Sequence, residues 1–195
     1  MMAGAPKAAR IILVRHARPV MDRKQPASRW PLDPSGTETV ARLAGILRTT
    51  GADGVVASPE QKALETGRII ASELRLPLSI EPDLREQGGE QVPWMDSGED
   101  FRAAVAGHFP RPAQVVLGAE TSCDAVDRFE MVVNRARLNH RFPVLVTHGR
   151  ILCGYMARVL DLDPMSIWPR LLMPDAFAID LDARRWQRVD EEDPL

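Results

Sequence analysis

Two apolar runs, Ile11-Ile12-Leu13-Val14 and Val144-Leu145-Val146, each lead straight into a histidine, as Arg15-His16 in the first and Thr147-His148-Gly149 in the second. A short unbroken apolar run ending in polar residues reads as a strand of a parallel sheet, buried on both faces, with its carboxyl end opening onto solvent. In open α/β sheets, ligands bind outside those carboxyl ends. Two histidines delivered to one sheet edge, with an arginine beside one of them, point to an anion site that holds a nucleophile or a base.

The rest of the chain supports such a sheet. Strand and helix patterns alternate, which implies a three-layer α/β/α sandwich with a mostly parallel sheet. Strands are expected over Arg10–Arg15, 55–57, 78–80 and 144–147, with a hairpin at 176–181 and 186–189 on the sheet edge. Ser35 or Thr37 is placed to cap a helix running to about Thr50, and Ser58 to cap another with Pro59 at its first position. Further helices are expected at about 99–108, 123–139 and 150–160. Residues 18–34 and 82–98 read as long loops, which in compact domains tend to carry function. With 195 residues, 45% of them hydrophobic, the chain suits one domain over residues 1–195, with 1–9 and 190–195 flexible.

Charge and cysteine content narrow the classes. A net charge of −2 gives no electrostatic case for a nucleic-acid partner. No apolar stretch approaches the ~20 residues that span a bilayer, and no apolar segment precedes the first strand as in a secretory leader. Cys123 and Cys153 are not in a CxxC and lack histidines at ligand spacing, so no metal or other cofactor is expected and they read as free thiols in a reducing cytoplasm. An edge hairpin leaves a homodimer open.

Four segments could carry chemistry. Arg15 beside His16 offers a planar fork suited to phosphate or carboxylate oxygens. Gly149 after His148 permits a tight turn into a helix whose first amides would face an anion. Ser58 and Lys62 sit at a helix start, although a lone lysine there is ordinarily a solvated residue. Glu86, on a loop, is either a general acid or a surface charge paired with Arg85.

Taken together, these segments resemble the histidine phosphatase superfamily, with its phosphoglycerate-mutase-like fold. Val14-Arg15-His16-Ala17 is similar to the opening strand–Arg-His-Gly, and Leu32-Asp33-Pro34-Ser35-Gly36 to a Leu-Thr-x-x-Gly before a helix. Ser58-Pro59-Glu60-Gln61-Lys62-Ala63-Leu64-Glu65-Thr66-Gly67 follows Ser-Pro-x-x-Arg-Ala-x-x-Thr-Ala. Leu84-Arg85-Glu86 with Gly88-Gly89 matches a Leu-x-Glu with glycines after it. Gly118-Ala119-Glu120-Thr121 and Arg128 resemble a Gly-Glu-Ser segment before an arginine-bearing helix. Val146-Thr147-His148-Gly149 closes the series.

The resemblance implies metal-independent hydrolysis of phosphomonoesters through a phosphohistidine on His16, the substrate being a small phosphorylated compound or a phosphoprotein. Arg15, Lys62 and His148 would surround the phosphoryl oxygens, with His148 also counted as catalytic. Glu86 would protonate the leaving oxygen, for which its pKa should lie above that of an exposed glutamate. Three positions depart from the pattern: Ala17 for glycine, Lys62 for arginine, and Asp22 near where many members place a phosphate-binding asparagine. They keep open a weak or inactive phosphate-ligand binder, beside a phosphoglycerate-type mutase as the enzymatic rival. Trp30, Trp94, Met95, Phe101 and Phe109 are candidates for an apolar wall around the leaving group, or for ordinary core.

Overall fold

The computed structural model describes residues 9–190. Six strands form one sheet: β1 (Arg10–Arg15), β2 (Gly54–Ala57), β3 (Leu78–Ile80), β4 (Pro143–Thr147), β5 (Asp175–Asp180) and β6 (Arg185–Arg188). Their order is β3-β2-β4-β1-β5-β6. The first four run parallel, and β5 lies antiparallel to β1. The α/β sandwich expected from the alternating pattern is therefore present. The C-terminal hairpin enters it by one strand, β5 pairing with β1 and only β6 lying at the edge.

Among the described residues five α-helices cover the sheet: α1 (Pro34–Leu47), α2 (Gln61–Leu74), α3 (Gly98–His108), α4 (Ser122–Asn139) and α5 (Gly149–Leu160). Alternation along the strands decides which helices they meet. Ile12, Val14, Val55, Ala57, Val144 and Val146 face a core completed by Val40, Leu43 and Leu47 of α1 and by Ala63 and Ile70 of α2. Ile11, Leu13, Val56 and Leu145 face the opposite core, where Phe129 and Val133 of α4 meet Ile151, Leu152 and Tyr155 of α5. Among the described residues no helix is long and apolar enough to cross a membrane.

Two helix starts differ from expectation. Asp33, not Ser35 or Thr37, caps α1: its side chain accepts from Ser35 N, and Pro34, which has no N–H to satisfy, takes the next position. Helix α2 begins at Gln61 rather than at Pro59. Ser58 is not its cap: the cap position falls to Glu60, and the Ser58 hydroxyl accepts from Glu60 N at 3.3 Å and lies 2.8 Å from His148 Nε2. The loop of residues 18–33 is pinned at its base by a Pro19–Leu32 bridge and by Asp33 N donating to Arg18 O. Of the termini expected to be flexible, Ala9 is tied down by Leu181 N donating to its carbonyl. Residues 1–8 and 191–195 lie outside the described residues.

Candidate active site

Strands β1 and β4 are neighbours with Arg15 opposite Thr147, so the residues that follow, His16 and His148, emerge side by side. His16 N donates to Thr147 O at 3.0 Å, and the two imidazoles meet edge to face with centroids 5.1 Å apart. His16 Nδ1 lies 2.7 Å from Ala17 O. A carbonyl only accepts, so Nδ1 carries the hydrogen and Nε2 keeps its lone pair. Burial pushes the pKa of His16 well below the usual histidine value, and the nearby His148 and Lys62 push it further the same way. His148 is lowered chiefly by burial and then by Lys62. Both rings are neutral at pH 7.

Lys62 is not a solvated helix residue. It is 5% exposed, and its Nζ donates to Ala27 O at 2.7 Å and to Glu60 Oε2 at 2.6 Å. Glu60, also buried, is not among the residues the sequence singles out, where it reads as an unconstrained position in the motif. Its other oxygen accepts from Glu86 N at 2.8 Å and lies 3.7 Å from His148 Nε2. A carboxylate two residues before a lysine at a helix start is the available signal.

Glu86 departs from expectation in both partner and pKa. Its carboxylate accepts from Arg150 N at 3.1 Å, Ile151 N at 3.0 Å and Gln87 N at 2.8 Å. The anion at the start of α5 is thus the protein's own. Burial alone would raise the Glu86 pKa, but the Arg150 guanidinium, His148 and the backbone donors outweigh it and hold the carboxyl below its usual range. Glu86 is ionised here, and its partner is Arg150, 3.7 Å away, rather than Arg85, which pairs with Asp83.

The loop carrying Glu86 is clamped from behind. Arg128 donates to the carbonyls of Asp83, Arg85 and Glu86 and forms a two-pronged pair with Glu120, which in turn accepts from Gly88 N. Gly88 (φ +84) sits against a second glycine, Gly118 (φ +77). A Cβ on Gly88 would come within 2.5 Å of Leu117 O.

Arg15 lies over the Trp168 ring, its Cζ 5.7 Å from the centroid, and donates from one end to Leu171 O and Leu172 O. Gly149 makes this possible by its size, since a Cβ there would come within 2.8 Å of Trp168 and 3.2 Å of Arg15 Nε. Trp168 is absent from the aromatic residues expected at the site, whereas Phe101 and Phe109 of the expected apolar wall pack on it and Trp30 packs on Trp94. Asp22 stays in its own turn, accepting from Lys24 N and Gln25 Nε2. Cys153 is buried and Cys123 half-buried, both as free thiols. Among the described residues no three His, Cys, Asp or Glu side chains gather as a metal ion would need.

Buried polar atoms without a partner mark this region. Among the described residues they are Arg15 Nε, His148 Nδ1, Arg150 Nε and both ring nitrogens of His108. Such groups are costly unless something completes them. The arrangement has the parts of a phosphoryl-transfer centre: a neutral imidazole with a free nitrogen, cations around it, and a carboxylate beside it.

The profile of the histidine phosphatase superfamily (branch 1) matches residues 11–188. No curated protein sequence matches the chain. Among solved structures, a mycobacterial glucosyl-3-phosphoglycerate phosphatase is similar at 19% identity and TM-score 0.69, with 92% of this chain and 96% of that chain covered. A phosphoserine phosphatase mutant from Entamoeba histolytica, solved with phosphoserine, is similar at 14% identity and TM-score 0.66, covering 93% and 95%. The alpha-ribazole phosphatase from Shigella flexneri is similar at 21% identity and TM-score 0.61, covering 92% and 94%.

Proposed function

The chain belongs to the histidine phosphatase superfamily, and from that premise we propose that it hydrolyses a phosphomonoester through a phosphohistidine on His16, without a metal. The observation that carries this reading is the His16 ring: neutral through burial, its Nδ1–H held by Ala17 O, its Nε2 left as the nucleophilic atom. The named phosphatase activities of its structural neighbours agree with it.

In the first step Nε2 attacks phosphorus and the bond from phosphorus to the ester oxygen breaks. Arg15, Lys62 and His148 stabilise the charge spread over the equatorial oxygens. The leaving oxygen takes a proton from Glu86. That carboxylate is ionised in the free protein; a phosphate dianion brought beside it raises its pKa, so that it takes up a proton from solvent before the ester bond breaks. In the second step water attacks phosphorus, Glu86 takes the proton back, the phosphorus–nitrogen bond breaks, and inorganic phosphate leaves with His16 restored. The substrate is a small phosphorylated compound or a phosphoprotein, met in the cytoplasm.

One observation favours a second reading. Lys62 is already engaged by Glu60, as in a protein that binds phosphate ligands but turns them over slowly. Phosphate release from para-nitrophenyl phosphate separates the two. Wild type should turn over steadily and His16→Ala should lose about 10⁴-fold or more, as for removal of a covalent nucleophile. Equal rates in both proteins would overturn the phosphohistidine. With 3-phosphoglycerate, free phosphate is expected; isomer would indicate a mutase.

A further inference from the structure

Arg150 and His108 are buried and touch none of the reacting atoms in the mechanism above, where Arg150 enters only as the charge beside Glu86. Arg150 is 5% exposed and His108 is fully buried. The Arg150 side chain makes one long hydrogen bond, from Nη1 to Gln87 Oε1 at 3.4 Å; its Nε lies within ion-pair reach of Glu86 but has no hydrogen-bond partner. Gln87 spends its own Nε2–H donors on Leu117 O and Glu120 O, which leaves its oxygen toward Arg150. His108, at the last turn of α3, has neither ring nitrogen satisfied. The adjacent Phe109 packs on Trp168, the ring that also supports Arg15, so the end of α3 leans on the Arg15 side of the site. His108 also lies close enough to Arg150 and Glu86 to feel both charges, so two buried side chains with nitrogens that have no hydrogen-bond partner stand together beside the reaction centre.

Position indicates which part of the substrate they would meet. Arg150 Nε lies 3.7 Å from Glu86 Oε2. If Glu86 is the group that protonates the leaving oxygen, Arg150 stands beside the leaving alcohol and away from the phosphoryl oxygens. A planar guanidinium fork matches the two oxygens of a carboxylate. Glu86 is already a negative neighbour, which disfavours a second phosphate dianion there more than a single carboxylate charge. We propose that Arg150 and His108 form a second subsite, which binds a carboxylate on the leaving group of the substrate, close in the chain to the phosphoester.

This inference rests on the phosphatase reading only for the role of Glu86, and the test keeps the two apart. The probes are 3-phosphoglycerate and glycerol 3-phosphate, which differ in having a carboxylate or a hydroxymethyl group. In His16→Ala protein, calorimetry should show 3-phosphoglycerate binding about tenfold or more tighter, the range for hydrogen bonds to a charged group. Adding Arg150→Gln or His108→Phe should bring that ratio toward one, and Arg150→Lys should keep part of it. In wild type the same ratio should appear in kcat/KM. Because each protein is scored by its own ratio, a general loss of activity cancels; if one variant fails to fold, the other still reads the subsite. Equal binding of the two probes in His16→Ala, or a ratio unmoved by both Arg150→Gln and His108→Phe, would overturn the subsite. A binding preference without turnover in wild type would leave the subsite standing and sink the phosphatase reading.

Discussion

Lys62 and Glu60 form an ion pair at 2.6 Å inside the candidate site, both side chains less than a tenth exposed. Breaking a buried pair from one side strands the other charge. Lys62→Ala should therefore destabilise the fold by about 3–5 kcal/mol, and Lys62→Ala combined with Glu60→Leu should regain much of that. Urea denaturation checks this; a single variant as stable as wild type would return Lys62 to the status of a solvated residue.

Glu60 also sets the charge that an incoming phosphate meets. Glu60→Gln removes a like charge and keeps one of the two acceptor oxygens, so either Glu86 N or Lys62 Nζ loses its acceptor. Affinity for inorganic phosphate should rise by on the order of tenfold. Weaker phosphate binding in calorimetry would mean that the carboxylate, through Lys62, shapes the pocket rather than opposing the ligand.

Acid should unfold the protein early. The pKa values of His16, His108 and His148 are lowered by folding, chiefly through burial. Below about pH 6.5 the unfolded chain takes up protons that the folded one refuses, so stability falls as pH falls, by up to about 1.4 kcal/mol per pH unit for each such histidine. Glu86, also lowered, adds the same sign below about pH 4.5. Denaturation midpoints at pH 7.5 and 5.5 should show the loss, and His108→Phe should flatten it. Stability rising on acidification would contradict the neutral rings.

Gly88 couples two loops by contact. Gly88→Ala meets Leu117 O and a left-handed backbone together, and should cost about 1–3 kcal/mol. Activity should fall further than stability alone accounts for, because Glu86 rides on that loop. An unchanged kcat in the Gly88→Ala variant would show that the loop contact is slack.

Much of this is legible in the sequence because it is local and periodic. The apolar runs specify the parallel strands, and the polar pair at each run's end specifies where His16 and His148 emerge. Helix α1 is readable in extent but not in its cap: Asp33 and Ser35 are both good caps, and only the chain's path into Pro34 chooses between them. Ser58 misleads for a different reason, since its partner His148 lies far away in sequence. The buried network of Glu60, Lys62, Glu86 and Arg150 is illegible for the same cause. Each of these charges looks solvated until the loops at 18–33 and 82–98 fold over them. The Glu86 pKa falls on the other side of its expected shift because burial is outweighed by the Arg150 guanidinium and then by His148 and backbone amides, which no local pattern reveals.

The pairing of β1 with β4, Arg15 opposite Thr147, makes the sheet a gauge block for the chemistry. Adjacent strands sit about 4.8 Å apart, and the 5.1 Å between the two imidazoles is close to that spacing carried one residue past the strand ends. The spacing of the two strand ends is set by backbone amides and carbonyls, which no substitution short of proline removes. A slip of one residue would turn His16 to the opposite face. Drift at the solvent-facing positions of this protein therefore leaves the spacing of its reactive pair untouched, whereas a bulge or proline in either strand would put the instrument out of true while the two histidines were still there.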